Sequence, residues 1–421
     1  MNGGLSMVEM KSGYKMTEVG VIPEDWEVKT LGKLACINGR IGFRGYTVKD
    51  LVRKGEGAIA IGGKHISKNY LDLSDAEYIS WKKYYESPEI MVKQGDIVLA
   101  QRGTLGKSAL IKSDIGPATI NPSLVLINKI KCNNLYLIYN MQSSSVTDYI
   151  LQINSQTSIP MISQKQIEGI KIAIAKLDCE QAAIATALSD VDSLISALTK
   201  KIEKKKAIKQ GLMQQLLTGK KRLPGFVGVW DVVQLKRIIS EFIVPMRDKP
   251  TALTGTIPWC RIEDFDGKYL KKSLSNQGVD LNTVSKMNLK IFPVNTLLVS
   301  CSANLGRCAI VKQKLVTNQT FIGLVPSDRI DVEFLYYKMS REDKNLNNMA
   351  TGTTISYLSR EQFENYEILI PSSKAEQTAI SNILSDCDSE IAALEEKRDK
   401  YKEIKQGMMQ QLLTGKIRLI K

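Results

Sequence analysis

Histidine is nearly absent from this chain: His65 stands alone among 421 residues. A multi-histidine metal centre is therefore excluded, and His65 itself reads as a satisfied surface or core residue rather than a catalyst. The seven cysteines are odd in number and include no Cys-x-x-Cys pair. That argues against a zinc site or a disulfide framework and for reduced thiols in a cytoplasmic protein. Cys301 and Cys308 read as packing residues. No apolar run approaches the ~18 residues of a membrane span, so no transmembrane helix is expected. The N-terminal MNGGLSMVEMKSGYKM lacks the apolar core of a signal peptide. Also missing are a Gly-x-x-x-x-Gly-Lys-Ser/Thr phosphate loop, an Asn-Pro-Pro-Tyr-like methyl-transfer motif, a Gly-rich strand-to-helix cofactor turn and a nuclease-like pair of carboxylates with a lysine. The expectation is a chain with no catalytic, metal or cofactor site of its own.

What is present in excess is positive charge. The formal net charge is +14 and the pI is near 9.2, with 43% apolar residues, enough for real cores. A basic excess on a folded chain points to a polyanion, nucleic acid first, with no membrane partner expected. Lys200–Arg222 holds nine Lys/Arg and one Glu. Such a run is either a solvated helix face or a line of phosphate contacts.

The chain contains one stretch twice. Lys209–Leu223 and Lys405–Leu419 differ only at Leu212/Met408 and Lys221/Ile417. The match continues upstream at the same offset, with Glu180-Gln181 recurring as Glu376-Gln377 and Leu188-Ser189-Asp190 as Leu384-Ser385-Asp386. One half is thus a divergent copy of the other. Ile184, Leu188, Val191, Ile195, Leu198 and Ile202 alternate by four and three, as do Ile380, Leu384, Cys387, Ile391 and Leu394. This is a coiled-coil seam, which slips to Ile208/Leu212/Leu216 and Ile404/Met408/Leu412. Ser373-x-x-Glu376 reads as a capping box and Asp178 as the cap of the first helix. Gly219 and Gly415 close the two helices. At about 1.5 Å per residue each helix is roughly 55–60 Å long. Neither buries its seam alone, so each is expected to pack on the other. Asp190 and Asp192 recur as Asp386 and Asp388 on these helices, where exposure or a protein contact explains them better than catalysis.

Before each helix lies a globular segment. Trp26-Glu27-Val28 with Leu31, and Trp230-Asp231-Val232 with Leu235, mark the same opening strand, its tryptophan a buried anchor. A loop with Arg40 and Arg44 corresponds to one with Arg247. Lys64 corresponds to Arg261 on strand-like segments. A strand, tight turn and second strand over Gly95–Lys107 recurs over Asn295–Arg307, with Leu-Gly-basic at each turn. Glycine there permits the left-handed residue a hairpin needs. Asn121-x-Ser123 matches Asn318-x-Thr320, and Gln156-x-x-Ile159 with Ser163 matches Gly352-x-x-Ile355 with Ser359. Arginine on surface loops is the best donor to guanine edges and phosphates. The candidate DNA contacts are Arg40, Arg44, Lys64, Arg102, Thr104, Lys107, Arg247, Arg261, Asn304 and Arg307.

The twice-occurring KQG-x-MQQLLTGK block, the EQ-x-AI-x-x-x-LSD-x-D helix start and the two-half layout resemble the specificity subunit of type I restriction–modification systems, over nearly the whole chain beyond about residue 15. The resemblance implies an α+β fold: two similar α/β target recognition domains separated by two long helices packed as an antiparallel coiled coil. The implied layout is a flexible tail over 1–15, domains over 16–177 and 220–373, a central helix over 178–219, and a C-terminal helix and tail over 374–421. It further implies a non-catalytic chain that reads a bipartite target on double-stranded DNA. Two modification subunits would bind it and methylate adenine, and restriction subunits would join them. S-adenosylmethionine, ATP and Mg would sit on those partners. A stiff helical pair would set the gap between half-sites. An adaptor whose coiled coil docks proteins and whose heads bind protein or RNA is the competing reading.

Overall fold

The computed structural model describes residues 12–67, 70–154, 161–247, 249–302, 304–350 and 357–419. It divides into two compact units, one of residues 1–198 with 397–421 and the other of residues 199–396. Two uninterrupted helices, Asp178–Leu216 and Lys374–Leu412, each give one half to each unit.

Unit 1 is built on a four-stranded antiparallel sheet in the order Ser108–Leu110, Ile97–Ala100, Leu124–Asn128, Cys36–Gly39. Ile97–Ala100 reads as a continuous apolar run because both of its faces are buried. A second sheet, in the order Ala118–Ile120, Gly57–Ile61, Glu77–Ser80, Leu51–Val52, contains one parallel pair. The strand opening at Trp26 runs Glu27–Thr30 and pairs antiparallel with Lys171–Ile174. Tyr14 and Lys15, counted with the tail from sequence, instead form the strand Tyr14–Thr17 against Gly20–Pro23. Residues 1–11 lie outside the described residues.

Unit 2 repeats the plan. Its main sheet runs Ile239–Ile243, Phe321–Pro326, Leu297–Ser300, Cys308–Val311, Tyr269–Leu270. A smaller sheet runs Gly278–Val279, Ile257–Cys260, Val316–Thr317, and Trp230–Gln234 pairs with Glu367–Pro371. In both units the tight turn is made as the glycines suggest: Gly106 and Gly306 have φ of +78° and +84°. A side chain at 306 would also collide with the Asp343 backbone, 2.8 Å from the Cβ position. Ser163 and Ser359 cap the helices Gln164–Glu168 and Arg360–Asn365 with closed capping boxes. The motif parts at 156–159 and 352–355 lie outside the described residues.

The long helices run antiparallel inside each unit. In unit 1 Asp192 meets Lys405 at 2.7 Å and Glu180 meets Arg418 at 2.5 Å. In unit 2 Lys206 meets Glu395 at 2.6 Å and Arg222 meets Glu376 at 2.7 Å. Ile184, Leu188, Leu198 and Ile202 are buried, as are Ile380, Leu384 and Ile391. After the slip the seam departs from expectation. Ile208 and Ile404 are exposed, because the helix ends turn Met213, Leu216 and Leu217, or Leu412 and Leu413, into the cores of the heads. Each head core is therefore completed by the start of one long helix and the end of the other.

Both C-termini close on a left-handed glycine, Gly219 at φ +69° and Gly415 at φ +68°. Lys221 N–H reaches Gln215 O and Ile417 N–H reaches Gln411 O, satisfying carbonyls that the helix leaves open. The N-termini differ from expectation. Asp178 lies inside the first turn, and Gln181 bonds Ala175 O and the Asn133 N–H instead of closing a box. Ser373 Oγ does accept from Glu376 N–H, but the Glu376 carboxylate is taken by Arg222 and Trp230.

The sequence leads one to expect no transmembrane helix, yet by length and composition alone one helix is apolar enough to cross a membrane. Asp178–Leu216 is long enough and reaches a mean hydropathy of 1.3. Its alanines at 182, 183, 185 and 187 lift the average without forming a long apolar run. Within unit 1 its Ile184 and Leu188 sit in the head core and its Asp192 is paired.

The paired residues form one clasp, made twice. Trp26 Nε1 donates to Glu180 at 3.2 Å and Trp230 Nε1 to Glu376 at 3.3 Å. Tyr139 OH donates to Asp192 at 2.8 Å with Lys405 over its ring, and Tyr337 OH to Asp388 at 2.6 Å with Lys209 over its ring. Burial, together with the neighbouring aspartate, pushes both tyrosine pKa values up. Asp192 and Asp388 are thus ion-pair anchors. Part of the basic run is spoken for as well: of its nine bases, Lys205, Lys206, Lys209 and Arg222 pair with acids inside unit 2.

Candidate nucleic-acid interface

Three of the residues picked from sequence meet in unit 1. Lys64, Arg102 and Thr104 line a cleft of about 340 Å³ with Gly62, Asn121 and Ser123. The topology explains the meeting. Gly57–Ile61 runs out at the Gly62–His65 turn, and the parallel neighbour Ala118–Ile120 runs out beside it at Asn121. The Gly103–Gly106 turn closes the third side. Gly62 leaves room there for the Asn121 side chain, whose Nδ2 would lie 2.7 Å from a Cβ and would have to shift.

Asn121 and Ser123 were legible only as a repeated motif. The Asn121 carboxamide oxygen accepts from Ser123 N–H and Oγ, which locks the turn, and the counterpart Thr320 Oγ1 donates to Asn318 at 2.7 Å. Arg102 and Lys107 are exposed and form no ion pair among the described residues. Lys64 is exposed but shared between Glu77 at 3.2 Å and Asp75 at 3.4 Å, and the Glu77 hydrogen bond raises its pKa. His65 is 1% exposed. Its Nδ1 accepts from Gly62 N–H at 2.9 Å, while Nε2 faces Asp75 at 3.5 Å. It is a core histidine that holds the turn.

Arg40 does not belong to this surface. Its guanidinium is buried and donates to Ile120 O, Arg44 O and Thr119 Oγ1. Burial lowers its pKa. With one donor from each of its three nitrogens held inside the head, it is a buried brace between sheets rather than an exposed DNA contact. Arg44 is partly exposed and faces Glu89 at 3.6 Å.

The counterparts in unit 2 are more dispersed. Arg247 is exposed, and Asn304 is exposed at the turn with φ +52°. Arg307 follows Gly306, and its Nη2 donates to Phe265 O at 3.0 Å, which pins it beside that ring. Arg261 is half-buried, with its backbone N–H on Asp264 at 2.7 Å and its buried Nε unbonded among the described residues. Chemically, the exposed set offers donors and positive charge, which suits phosphates and the acceptor edges of bases. No group of three or more His, Cys, Asp or Glu side chains suited to a metal occurs among the described residues.

A family profile described as "Type I restriction modification DNA specificity domain" matches residues 23–210 and 230–406. The chain is 26% identical to a putative type I restriction enzyme MjaX specificity subunit of Methanocaldococcus jannaschii, over 97% of each chain. It is also 26% identical to the MjaVIII specificity subunit of the same organism, over 94% of each. Among solved structures, the type I restriction–modification S subunit from M. genitalium superposes with a TM-score of 0.60 at 15% identity, covering 96% of this chain and 99% of that one. At that identity the likeness speaks for the fold, an α+β architecture of two similar domains with long helices.

Proposed function

This chain belongs to the type I restriction–modification DNA specificity family, and on that premise we propose that it reads a bipartite duplex target, one half-site per head. The family role is target recognition, and the chemistry is left to other subunits. The observation that carries the finer reading is the internal repeat. Two heads of the same plan differ in the residues they expose, so each presents its own contact set, around Arg102 and Lys107 in unit 1 and around Arg247, Asn304 and Arg307 in unit 2. The target recognition domains would span 16–177 and 220–373, each feeding a long helix.

Two modification subunits would dock on the chain and methylate adenine in each half-site, with restriction subunits joining them. S-adenosylmethionine, ATP and Mg would be held by those partners. Exposed bases would neutralise phosphates and make binding salt-sensitive. Each well-aligned side chain on a base edge would contribute ~1–3 kcal/mol of discrimination.

The uninterrupted helices suggest a ruler. Each has 39 residues, or about 58 Å at ~1.5 Å per residue, against a duplex repeat of about 34–36 Å. Inserting one helical turn within Lys200–Lys206, with the matching turn in the second helix, should change the gap between half-sites and leave both half-sites intact. Methylated-site sequencing that showed altered half-sites and an unchanged gap would refute the ruler.

A further inference from the structure

The two units differ at one place where the repeat lets each explain the other. In unit 2 the helix Val332–Met339 carries Lys338, whose Nζ donates to Leu217 O at 3.3 Å. Just beyond it, Arg341 Nη1 donates to Met213 O at 2.7 Å. These two cations sit on the C-terminal carbonyls of the long helix, the end that carries the negative pole of its dipole. Lys338 is buried, and burial lowers its pKa.

In unit 1 the matching helix is Asn134–Met141, of equal length. Its cap Asn133 accepts from Tyr136 N–H as Asp331 accepts from Phe334 N–H. Its backbone is bonded by Gln181 as Asp331 is by Gln377. The register is therefore fixed, and it places Asn140 where unit 2 has Lys338 and Ser143 where it has Arg341. Neither side chain is long enough to reach the helix end. The Asn140 amide turns back to Tyr136 O, and Leu413 O, the counterpart of Leu217 O, accepts no hydrogen bond among the described residues. A groove of about 740 Å³ opens in this spot, and Asn140, Ser143, Met409 and Leu413, all four counterpart positions, line it.

We propose that this groove receives a lysine or arginine side chain presented by the modification subunit, which takes in unit 1 the place that Lys338 and Arg341 fill in unit 2. The inference rests on the assembly proposed above. The chemistry of the occupant follows from the site. Carbonyls at a helix C-terminus attract a cation and disfavour phosphate, and of the two lysines, Lys171 and Lys416, that line the groove together with Asp148, Lys171 is already paired with Glu18. Val19, Ile22 and Met409 supply an apolar wall for an aliphatic stem. The chain's own second copy of the site shows that a lysine and an arginine satisfy such carbonyls. A consequence is that the two units are unequal docking sites, because Lys338 and Arg341 already fill this place in unit 2.

The test grafts the unit 2 occupants onto unit 1 in the full chain, as Asn140→Lys with Ser143→Arg. Binding of the purified modification subunit is then followed by calorimetry and sedimentation. The wild type should bind two copies. The graft should weaken one site at least tenfold, so that a single copy binds at low micromolar concentration, with duplex DNA binding by the chain changed less than twofold. Ser143→Arg alone, at a partly exposed position, should give a smaller loss in the same direction if the double variant folds poorly. Unchanged affinity and stoichiometry in both variants would overturn the proposal. So would an effect confined to self-association of the chain, or one abolished by deleting residues 1–11, since either would assign the groove to this chain's own segments. A wild type that binds no modification subunit at all would instead refute the assembly on which the inference rests.

Discussion

Replacing Arg418 by alanine should loosen unit 1 and leave unit 2 intact. Glu180 is 0% exposed, and its carboxylate is held by Arg418 through Nε at 2.5 Å and Nη2 at 2.9 Å. Without the guanidinium, that carboxylate keeps, among the described residues, only the Trp26 N–H at 3.2 Å. Stripping one partner from a buried ion pair costs ~3–5 kcal/mol. The surviving Trp26 hydrogen bond and the 22% exposure of the Arg418 side chain place this case at the low end, about 3 kcal/mol. For a unit of this size that is roughly 6–12 °C in Tm. Arg418 also holds Asp25 and so ties the last turn of the chain to the opening strand. In unit 2 the same clasp, Arg222 on Glu376, lies in the middle of the chain. Hydrogen exchange read by mass spectrometry separates the units. Peptides around Trp26, Ile184 and Leu412 should lose protection in Arg418→Ala, and those around Trp230 and Ile380 should not. Arg222→Ala should give the reverse pattern. A double-mutant cycle with Glu180→Gln should show coupling above ~0.5 kcal/mol. Equal loss of protection in both units, or none in unit 1, would refute the account of the clasp.

Other substitutions test the reading surface. Arg102→Ala and Lys107→Ala should each weaken duplex binding and lower the salt slope by about 1 if each neutralises a phosphate. Electrophoretic shifts across a salt series measure this, and in the assembled complex the damage should fall on one half-site. Arg307→Ala should act on the other half-site. Arg40→Ala should behave oppositely. It strands the Ile120 carbonyl and the Thr119 hydroxyl, and so should destabilise unit 1 by about 2–3 kcal/mol in chemical denaturation while the recognised sequence stays the same.

The local features of this fold were written plainly in the chain. Heptad spacing gave the two helices, Gly219 and Gly415 gave their ends, and the repeated Leu-Gly-basic turn gave a hairpin with its glycine at positive φ. Each depends on residues close in sequence. The clasp was not legible, because Glu180 and Arg418 are remote in sequence and meet only once the helices run antiparallel. Asp192 and Asp388 stood out as a repeat, but nothing nearby in sequence supplies the lysines and tyrosines that explain them. Arg40 misled for a related reason. A Gly- and Arg-rich loop reads as surface, and only the packing of Ile120 and Thr119 beside it decides that this arginine turns inward. The cleft was half legible: Lys64, Arg102 and Thr104 were singled out one by one, while the parallel pairing that adds Asn121 and Ser123 is a matter of topology.

Modular reading of DNA is tested most directly by exchanging residues 16–177 for the corresponding head of another family member and mapping N6-methyladenine across the genome of a host that carries the whole system. The modified sites should keep the half-site read by unit 2 and the original gap, with the other half-site replaced. Methylated sites identical to the wild type, or both halves altered together, would contradict the account.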